Sequence, residues 1–247
     1  MSTYKTNYLS DVLLRLDYEA PIDALQISVP DALDRSLLKD FSIREINSVI
    51  SQQFNIDFTT DKIIKNNANS KELNYYANEK KKRICISNSY FYIHYKQYIS
   101  YDDLMLAFKI FLEYAKINYH ETKIKRIGLR YVNQIPASGD ILKWEDYINP
   151  AYIGTLSLLE SGHEISRALT VLNLNISDKI LSIQAGMPNP EYPASIKRKV
   201  FTLDYDASMA RSVEFKDVDA IINDLHSIIE TYFGKSITDA LKAKLNE

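Results

Sequence analysis

Alternating apolar and polar positions dominate the first hundred residues and predict β-strands. In residues 9–18, Val12, Leu14, Leu16 and Tyr18 fall on one side of an extended chain, which is the period of two that a half-buried strand requires. The polar residues between them would then face away from the core. Further strands are predicted at residues 42–58, 73–78, 83–87 and 90–96, and the connections between the last three have hairpin length.

Apolar residues three and four positions apart predict helices. In the clearest case, residues 100–118, Ser100 is a capping residue followed by an acid at Asp103, and an apolar stripe includes Leu104, Phe108 and Phe111. Other helices are predicted at residues 30–40, 141–148 and 217–233, and a last helix from Ser236, with Asp239 completing its Ser-x-x-Asp cap.

The second half of the chain repeats the order of the first. Strands are predicted at residues 123–135, 167–176, 179–186 and 199–207, ahead of the helix at 217–233. The fold class is therefore predicted to be α+β, with two similar modules that form one compact unit. Each module, residues 1–121 and 122–247, would be an antiparallel sheet followed by a long amphipathic helix packed on one sheet face.

Charge and composition narrow the classes of function. Thirty Lys and Arg residues against 32 Asp and Glu residues give a net charge of −2, which disfavours general attraction to nucleic acid but leaves a local basic patch open. No apolar run approaches the ~20 residues of a membrane helix, so we expect a cytoplasmic protein. The sequence has no glycine-rich phosphate-binding loop, and we expect no cofactor. The single cysteine, Cys85, lies in an apolar run and is interpreted as a buried, inert thiol.

The strand at residues 125–135 has two different faces. Arg126, Gly128 and Arg130 share one of them, whereas Asn133 falls on the apolar side. A glycine inside a strand often marks the close approach of another group, so Gly128 predicts a partner for this face. A buried amide must be hydrogen-bonded, and Asn133 is expected to fasten a loop or a neighbouring strand.

Charged residues also alternate on two other strands, and they would meet on one sheet face if the strands are neighbours. One interpretation is a solvated ladder of cross-strand ion pairs. Another is a polar concavity in which the arginines bind an anionic group. In a third, Asp204 and Asp206 hold a divalent cation with help from Asp17 or Glu214, although nothing in the spacing requires a metal and we predict none. The candidate binding residues are Arg15, Asp17, Arg126, Arg130, Asp204 and Asp206.

Tyrosines and histidines complete the candidates. The four histidines have no metal-binding spacing, and His163, in a loop without a nucleophile nearby, is expected to be solvated rather than a general base. Tyrosines outside the core would suit a protein interface or stacked bases, depending on whether they share a face with the basic residues. The cluster comprises Tyr75, Tyr76, Tyr90, Tyr92, Tyr95, Tyr98, Tyr101 and Tyr114.

Three segments together carry a resemblance: an opening Leu14-Arg15-Leu16 strand followed by Pro21, the strand Arg126-Ile127-Gly128-Leu129-Arg130-Tyr131-Val132-Asn133, and Leu203-Asp204-Tyr205-Asp206 before the last long helix. The chain resembles, over nearly its whole length, an uncharacterised, sporadically distributed family of bacterial and archaeal proteins. The resemblance implies cargo of mobile elements or of phage defence, often encoded beside a partner protein, and supplies no catalytic residues. Where relatives carry a tryptophan before the first long helix, this chain has Tyr98-Ile99-Ser100-Tyr101.

We therefore expect a non-enzymatic binding protein, the partner or sensor subunit of a bacterial defence or toxin-antitoxin-like operon, with catalytic residues unknown. The competing expectation is an enzyme or nuclease that acts on a phosphate-containing substrate through the Arg/Asp strand face. A nucleic-acid-binding protein is the third class. A protein partner encoded nearby is expected, and both a homodimer and a monomer fit the composition.

Overall fold

The computed structural model describes residues 4–57, 62–136, 144–160, 164–198 and 200–247. Within these residues the chain forms ten strands and five α-helices. The strands are β1 (Leu9–Tyr18), β2 (Ile43–Asp57), β3 (Lys62–Ala77), β4 (Lys82–Ile86), β5 (Tyr90–Tyr95), β6 (Lys123–Pro136), β7 (Ala168–Ile176), β8 (Lys179–Met187), β9 (Val200–Met209) and β10 (Val213–Glu214). The helices are α1 (Asp31–Leu38), α2 (Tyr101–Asn118), α3 (Pro150–Ile153), α4 (Val218–Ser236) and α5 (Asp239–Leu245).

All ten strands belong to one antiparallel sheet. The main order is β2-β3-β4-β5-β1-β6-β9-β8-β7, and the short β10 pairs with β6 beside this path. The predicted α+β class is confirmed. Because β1 lies between β5 and β6, with Leu14 opposite both Ile93 and Leu129, the strands of the two halves of the chain form one continuous sheet.

The helices cover one face of the sheet, and the core lies between them. The ring of Phe91 on β5 packs on Phe108 and Phe111 of α2. On the other half of the sheet, Tyr205 of β9 contacts Phe233 of α4. The predicted inward side of β1 is confirmed, because Val12, Leu14, Leu16 and Tyr18 are all buried. Alternate residues of the central strands consequently lie on the opposite face.

The residue predicted to cap the N-terminus is correct for helix α2 and wrong for helix α5. The Ser100 hydroxyl accepts the backbone N–H of Asp103, as the sequence indicates for α2. The prediction for the last helix is wrong by two residues. Ser236 ends α4 and is buried, whereas Thr238 caps α5 by accepting the N–H of Leu241. Two hydroxyl residues stand close together here, and tertiary burial decides which of them caps the helix.

Two further predictions need correction. Trp144 begins a turn rather than continuing a helix through residue 148, and its buried ring packs on Phe201 of β9. Residues 141–143 of that predicted helix lie outside the described part of the chain. Strand β3 begins at Lys62, well before the predicted residue 73, because it pairs along its whole length with β2. Pairing with a neighbour, without the apolar alternation of a buried face, is enough to make this segment a strand. Among the described residues no helix is both long and apolar enough to cross a membrane.

Candidate functional site

The sheet face opposite the helices, which we call the open face, brings all six predicted binding residues together. Register places Arg15 opposite Gly128 and Asp17 opposite Arg126, while Arg130 faces Asp206 on β9. Directly opposed residues of an antiparallel pair project on the same side of the sheet. The predicted meeting of charges on one face follows from the adjacency of β1, β6 and β9.

Most charges on the open face are already paired. Arg130 forms a two-pronged contact with Asp204, with Nε 2.9 Å from Oδ1 and Nη2 2.6 Å from Oδ2. Arg15 donates from Nε to Asp17 over 2.8 Å, and its Nη2 is 2.7 Å from the same oxygen. Fork-like contacts between a guanidinium and a carboxylate are the stronger kind of surface ion pair. This part of the open face is an ion-pair ladder.

Arg126 differs from the other arginines. Its Nη1 is 3.7 Å from Asp17 and its Nη2 is 4.0 Å from Asp206, which are both beyond hydrogen-bond range. The guanidinium folds back over Gly128, where an added Cβ would lie 3.1 Å from Arg126 Nη1. The group that approaches Gly128 closely is the side chain two residues away on the same strand, and the partner that the sequence predicts for this face stays a prediction. Arg126 therefore keeps donors for another group.

Asp206 is the least neutralised carboxylate of the ladder. Its partial burial raises the pKa of the carboxyl, against the opposing effect of Arg126 and Arg130. Both oxygens of Asp204, by contrast, accept hydrogen bonds from the guanidinium of Arg130. Arg126 and Asp206 thus form the loosest pair on this face.

Beside the ladder lies a group that we call the Tyr–Arg cluster, made of Arg15, Glu72, Arg83, Tyr90 and Tyr92. The rings of Tyr90 and Tyr92 stack with centroids 6.1 Å apart, and the guanidinium of Arg15 lies 4.4 Å from the Tyr90 centroid. Arg83 lies 5.0 Å from the Tyr92 centroid. Glu72 accepts both the Tyr90 hydroxyl, over 2.7 Å, and Arg83 Nη2, over 2.9 Å. Stacking and hydrogen bonds hold these side chains in fixed positions.

Four members of the cluster, Arg15, Glu72, Arg83 and Tyr92, line a hollow of about 540 Å³. Arg130 and His94 border the hollow on its other sides, and the Nε2 of His94 is 2.9 Å from the carboxylate of Asp11. Guanidinium groups, a phenol ring and an imidazole therefore surround one concavity. Such groups can bind planar or anionic parts of a partner.

The tyrosine-rich segment divides between the two faces. Tyr75 and Tyr95 are buried in the core, whereas Tyr90 and Tyr92 share the open face with the arginines. Cys85, opposite Tyr92, is buried, and burial raises the pKa of its thiol to about 12. The cysteine is thus a neutral thiol at pH 7, as interpreted from the sequence.

Asn133 is buried, as predicted, and its amide points to the carbonyl of Leu203 on the neighbouring β9 over 3.5 Å. Within the described residues, no three His, Cys, Asp or Glu side chains come together as metal ligands. Two of the carboxylates considered as metal ligands are in ion pairs instead: Asp204 accepts from Arg130, and Glu214, on β10, contacts Lys216. His163 lies outside the described part of the chain.

On the helix-covered face, sequence reasoning missed a cluster around His226 of α4. Its Nδ1 is 3.1 Å from the Tyr131 hydroxyl, which is 3.3 Å from the Tyr98 hydroxyl, and the Tyr101 ring stacks on the imidazole at 3.8 Å. Its Nε2 is 3.4 Å from Glu230, one helical turn later. In the sequence, only the four-residue spacing of His226 and Glu230 could have indicated this cluster. Tyr131 is 95 residues away from His226, so their contact has no local signature.

Burial of His226 gives a testable pH dependence. Burial lowers the pKa of the imidazole from 6.5 to about 4, despite the opposing effect of Asp102. The unfolded chain takes up a proton near pH 6.5 and the folded chain does not, so stability is lost as the pH falls from 6.5 towards 4. At 1.36 kcal/mol per pKa unit the loss is about 3 kcal/mol by pH 4. Urea unfolding of wild type and His226→Gln at pH 7 and pH 4.5 measures it.

The variant is expected to lose less stability than wild type over this range, because glutamine does not titrate. Titration of the carboxylates changes the free energy of unfolding of both proteins, and this contribution cancels when the two losses are subtracted. Equal losses in the two proteins would show that the folded chain protonates His226 as readily as the unfolded chain does, and would contradict the lowered pKa.

The open face therefore combines an ion-pair ladder, one arginine outside hydrogen-bond range of its acidic neighbours, and a Tyr–Arg cluster that borders a hollow. These parts can bind, orient and stack a partner without rearranging first. Comparison with protein-family models and with curated proteins finds no match for the chain.

Proposed function

We propose that this protein is a non-enzymatic binding protein that recognises a protein partner through its open face. The observation that supports the proposal is the Tyr–Arg cluster, in which Arg15, Arg83 and Tyr92 line a hollow and Tyr90 stacks on Tyr92 beside it. Tyrosine and arginine are the residue types most enriched at the energetic centres of protein interfaces. Side chains already fixed by Glu72 lose little conformational freedom on binding.

The charge of the open face favours a protein over a nucleic acid. Nucleic-acid binding depends on an excess of cations that neutralise phosphates. The ladder and the hollow together carry slightly more acids than arginines, so such an excess does not exist among these residues. The arginines are Arg15, Arg83, Arg126 and Arg130, and the acids are Asp11, Asp17, Glu72, Asp204 and Asp206.

The cellular role that we propose is that of a partner or sensor subunit in a bacterial defence or toxin-antitoxin-like operon. Support for this step is the resemblance of the Arg126–Asn133 strand to the sporadically distributed family, whose members are often encoded beside a partner. The open face would be the surface that contacts this neighbour-encoded protein.

The test is purification of the tagged protein from its host, with mass spectrometry of co-eluting proteins and detection of nucleic acid. We expect a stoichiometric protein partner with wild type and at least a tenfold lower recovery with Tyr92→Ala, because truncation of a central aromatic residue removes about 2 kcal/mol or more of binding energy. Tyr192→Ala is the matched control, since Tyr192 is an exposed tyrosine in the segment after β8. Full recovery with Tyr92→Ala, or elution without any partner, would contradict the proposal.

A second function is favoured by Arg126, whose guanidinium lies outside hydrogen-bond range of Asp17 and Asp206. In this alternative the protein is an enzyme or nuclease acting on a phosphate-containing substrate, with Arg126 binding the phosphate and Asp206 acting on it. The double variant Asp204→Ala, Asp206→Ala separates the two functions. Lost turnover with intact folding would support the enzyme, and unchanged cellular activity would exclude it.

A further inference from the structure

A second concavity, of about 570 Å³, lies on the helix-covered side of the protein. It is bordered by the chain segment before β1, the start of α2, strand β6, helix α4 and the end of α5. Six aromatic side chains contribute to its wall: Tyr4, Tyr8, Tyr98, Tyr101, Tyr131 and Phe233. It is separate from the open face, because Tyr131 and Asn133 lie on the buried side of β6.

The rings meet at different inclinations and form several sides of an enclosure. Tyr4 and Phe233 are nearly perpendicular, with centroids 6.1 Å apart and an interplanar angle of 76°. Tyr98 and Tyr131 are inclined by 56° at 5.6 Å. Tyr101 stands against His226, parallel to the imidazole. Rings set at such angles can present several π faces to one occupant, and those faces are negative.

The charged lining residues have one sign. Glu230 and Asp102 border the cavity, and the described residues that line it include no lysine or arginine. The polar contact of Glu230 is with His226 Nε2, 3.4 Å away, and this imidazole is neutral at pH 7 because burial holds its pKa near 4. Partial burial raises the pKa of Glu230, and the positive charge of the chain's N-terminal amine acts in the opposite direction. The side chain of Glu230 is partly buried, with 37% of it exposed, and a partly buried carboxylate beside aromatic rings is stabilised by a cation.

The N-terminus of α2 adds a partial positive charge at one end of the cavity. Asp102 and Asp103 occupy the first turn of α2 and offset this charge. Asp102 is near enough to His226 to affect its protonation. The formal charges of the described side chains that line the cavity are therefore negative, which favours a cationic occupant.

We propose that this cavity is a binding site for a small organic cation, a quaternary ammonium or a protonated amine, held against the tyrosine rings with Glu230 as its counter-charge. The polar atoms of Tyr98 and Asn133 at the cavity wall can hydrogen-bond a neutral polar group of the same ligand. The inference does not depend on the open face binding a protein. If both hold, the protein has a small-molecule site on one side of its sheet and a partner surface on the other.

The first test compares choline with its neutral carbon isostere, 3,3-dimethylbutan-1-ol, by isothermal titration calorimetry on the full chain. The two probes have the same shape, and only the charge differs. We expect choline to bind about tenfold more tightly, since cation–π contacts and a carboxylate act on the charged probe alone. Equal binding of the two probes, or no choline binding up to about 50 mM, which exceeds the millimolar range of weak small-ligand sites, would overturn the proposal.

Variants of the cavity make the test specific. Tyr4→Phe retains a ring and is expected to keep choline affinity within about twofold, whereas Tyr4→Leu should lower it at least fivefold, because leucine has no π face. Glu230→Gln keeps the shape and should lower choline affinity about fivefold while leaving binding of the isostere unchanged. Circular dichroism establishes that each variant is folded. If Tyr4→Leu and Glu230→Gln both bind choline like wild type, the site is elsewhere and the proposal fails.

Discussion

Replacing Gly186 with alanine is expected to destabilise the protein by about 3–5 kcal/mol, from the combined cost of a glycine-only backbone conformation and a backbone clash. Gly186 lies in β8 with φ of 147°, a region that other residues rarely adopt. A Cβ at this position would lie 2.1 Å from the carbonyl oxygen of Ala168 on the paired strand β7. Since that oxygen belongs to the backbone, β7 must shift or the pairing must break. Urea denaturation at pH 7 measures the change in the free energy of unfolding.

Two other glycines are matched controls. In Gly128→Ala the new methyl meets only the guanidinium of Arg126, which can swing away, and we expect a change below about 1 kcal/mol. In Gly234→Ala nothing lies within 4 Å, and alanine in helix α4 should stabilise by roughly 0.5–1 kcal/mol. If Gly186→Ala were as stable as Gly128→Ala, β7 would be free to move relative to β8.

The second large effect is expected for Phe91→Ala, at about 3–5 kcal/mol of destabilisation. Phe91 is fully buried, and its ring stacks on Phe111 with centroids 4.1 Å apart and planes 11° from parallel. It also contacts Phe108, so that one side chain joins β5 to two turns of α2. Truncation removes the buried ring and leaves a cavity that the helix can close only in part. Chemical denaturation, with loss of near-ultraviolet circular dichroism, reports the change.

The residue next to Phe91 provides the sharpest comparison. Tyr92 lies on the open face, and Tyr92→Ala should change stability by no more than about 1 kcal/mol because it leaves the core intact. Phe91→Leu, which keeps most of the volume, should cost less than about 1.5 kcal/mol. Equal losses for Phe91→Ala and Tyr92→Ala would contradict the assignment of the two sheet faces. A small effect of Tyr92→Ala also makes it a usable variant for the partner experiment.

Local periodicity was sufficient to predict most elements of the fold. Alternation identified the inward residues of β1, and helical spacing with Ser100 as cap located α2. The pairing of β1 with β6 was not predictable in the same way, because it joins Leu14 to Leu129 and has no signature in either segment. The halves were therefore predicted as similar modules, and their union in one sheet came from the structure.

For the candidate site, the sequence predicted which residues share a face but not which side chains contact each other. Strand parity placed Arg126 and Arg130 on one face, and Gly128 indicated a close approach. Parity does not tell which carboxylate each arginine meets, because that depends on register between β6 and β9. The cavity near His226 was missed for a related reason, since its walls come from five separate segments that only tertiary packing assembles.

The central position of β1 also determines how the chain can fold. Leu14 pairs with Ile93 on one side and with Leu129 on the other, so β1 has neither neighbour when it leaves the ribosome. More than half of the chain must be synthesised before both of its edges are hydrogen-bonded. Pairings this distant in sequence make folding slow, and an unpaired central strand is prone to association with other chains in the meantime. Strands β9, β8 and β7 complete the sheet by adding to β6, so they can pair only after the central strands are in place.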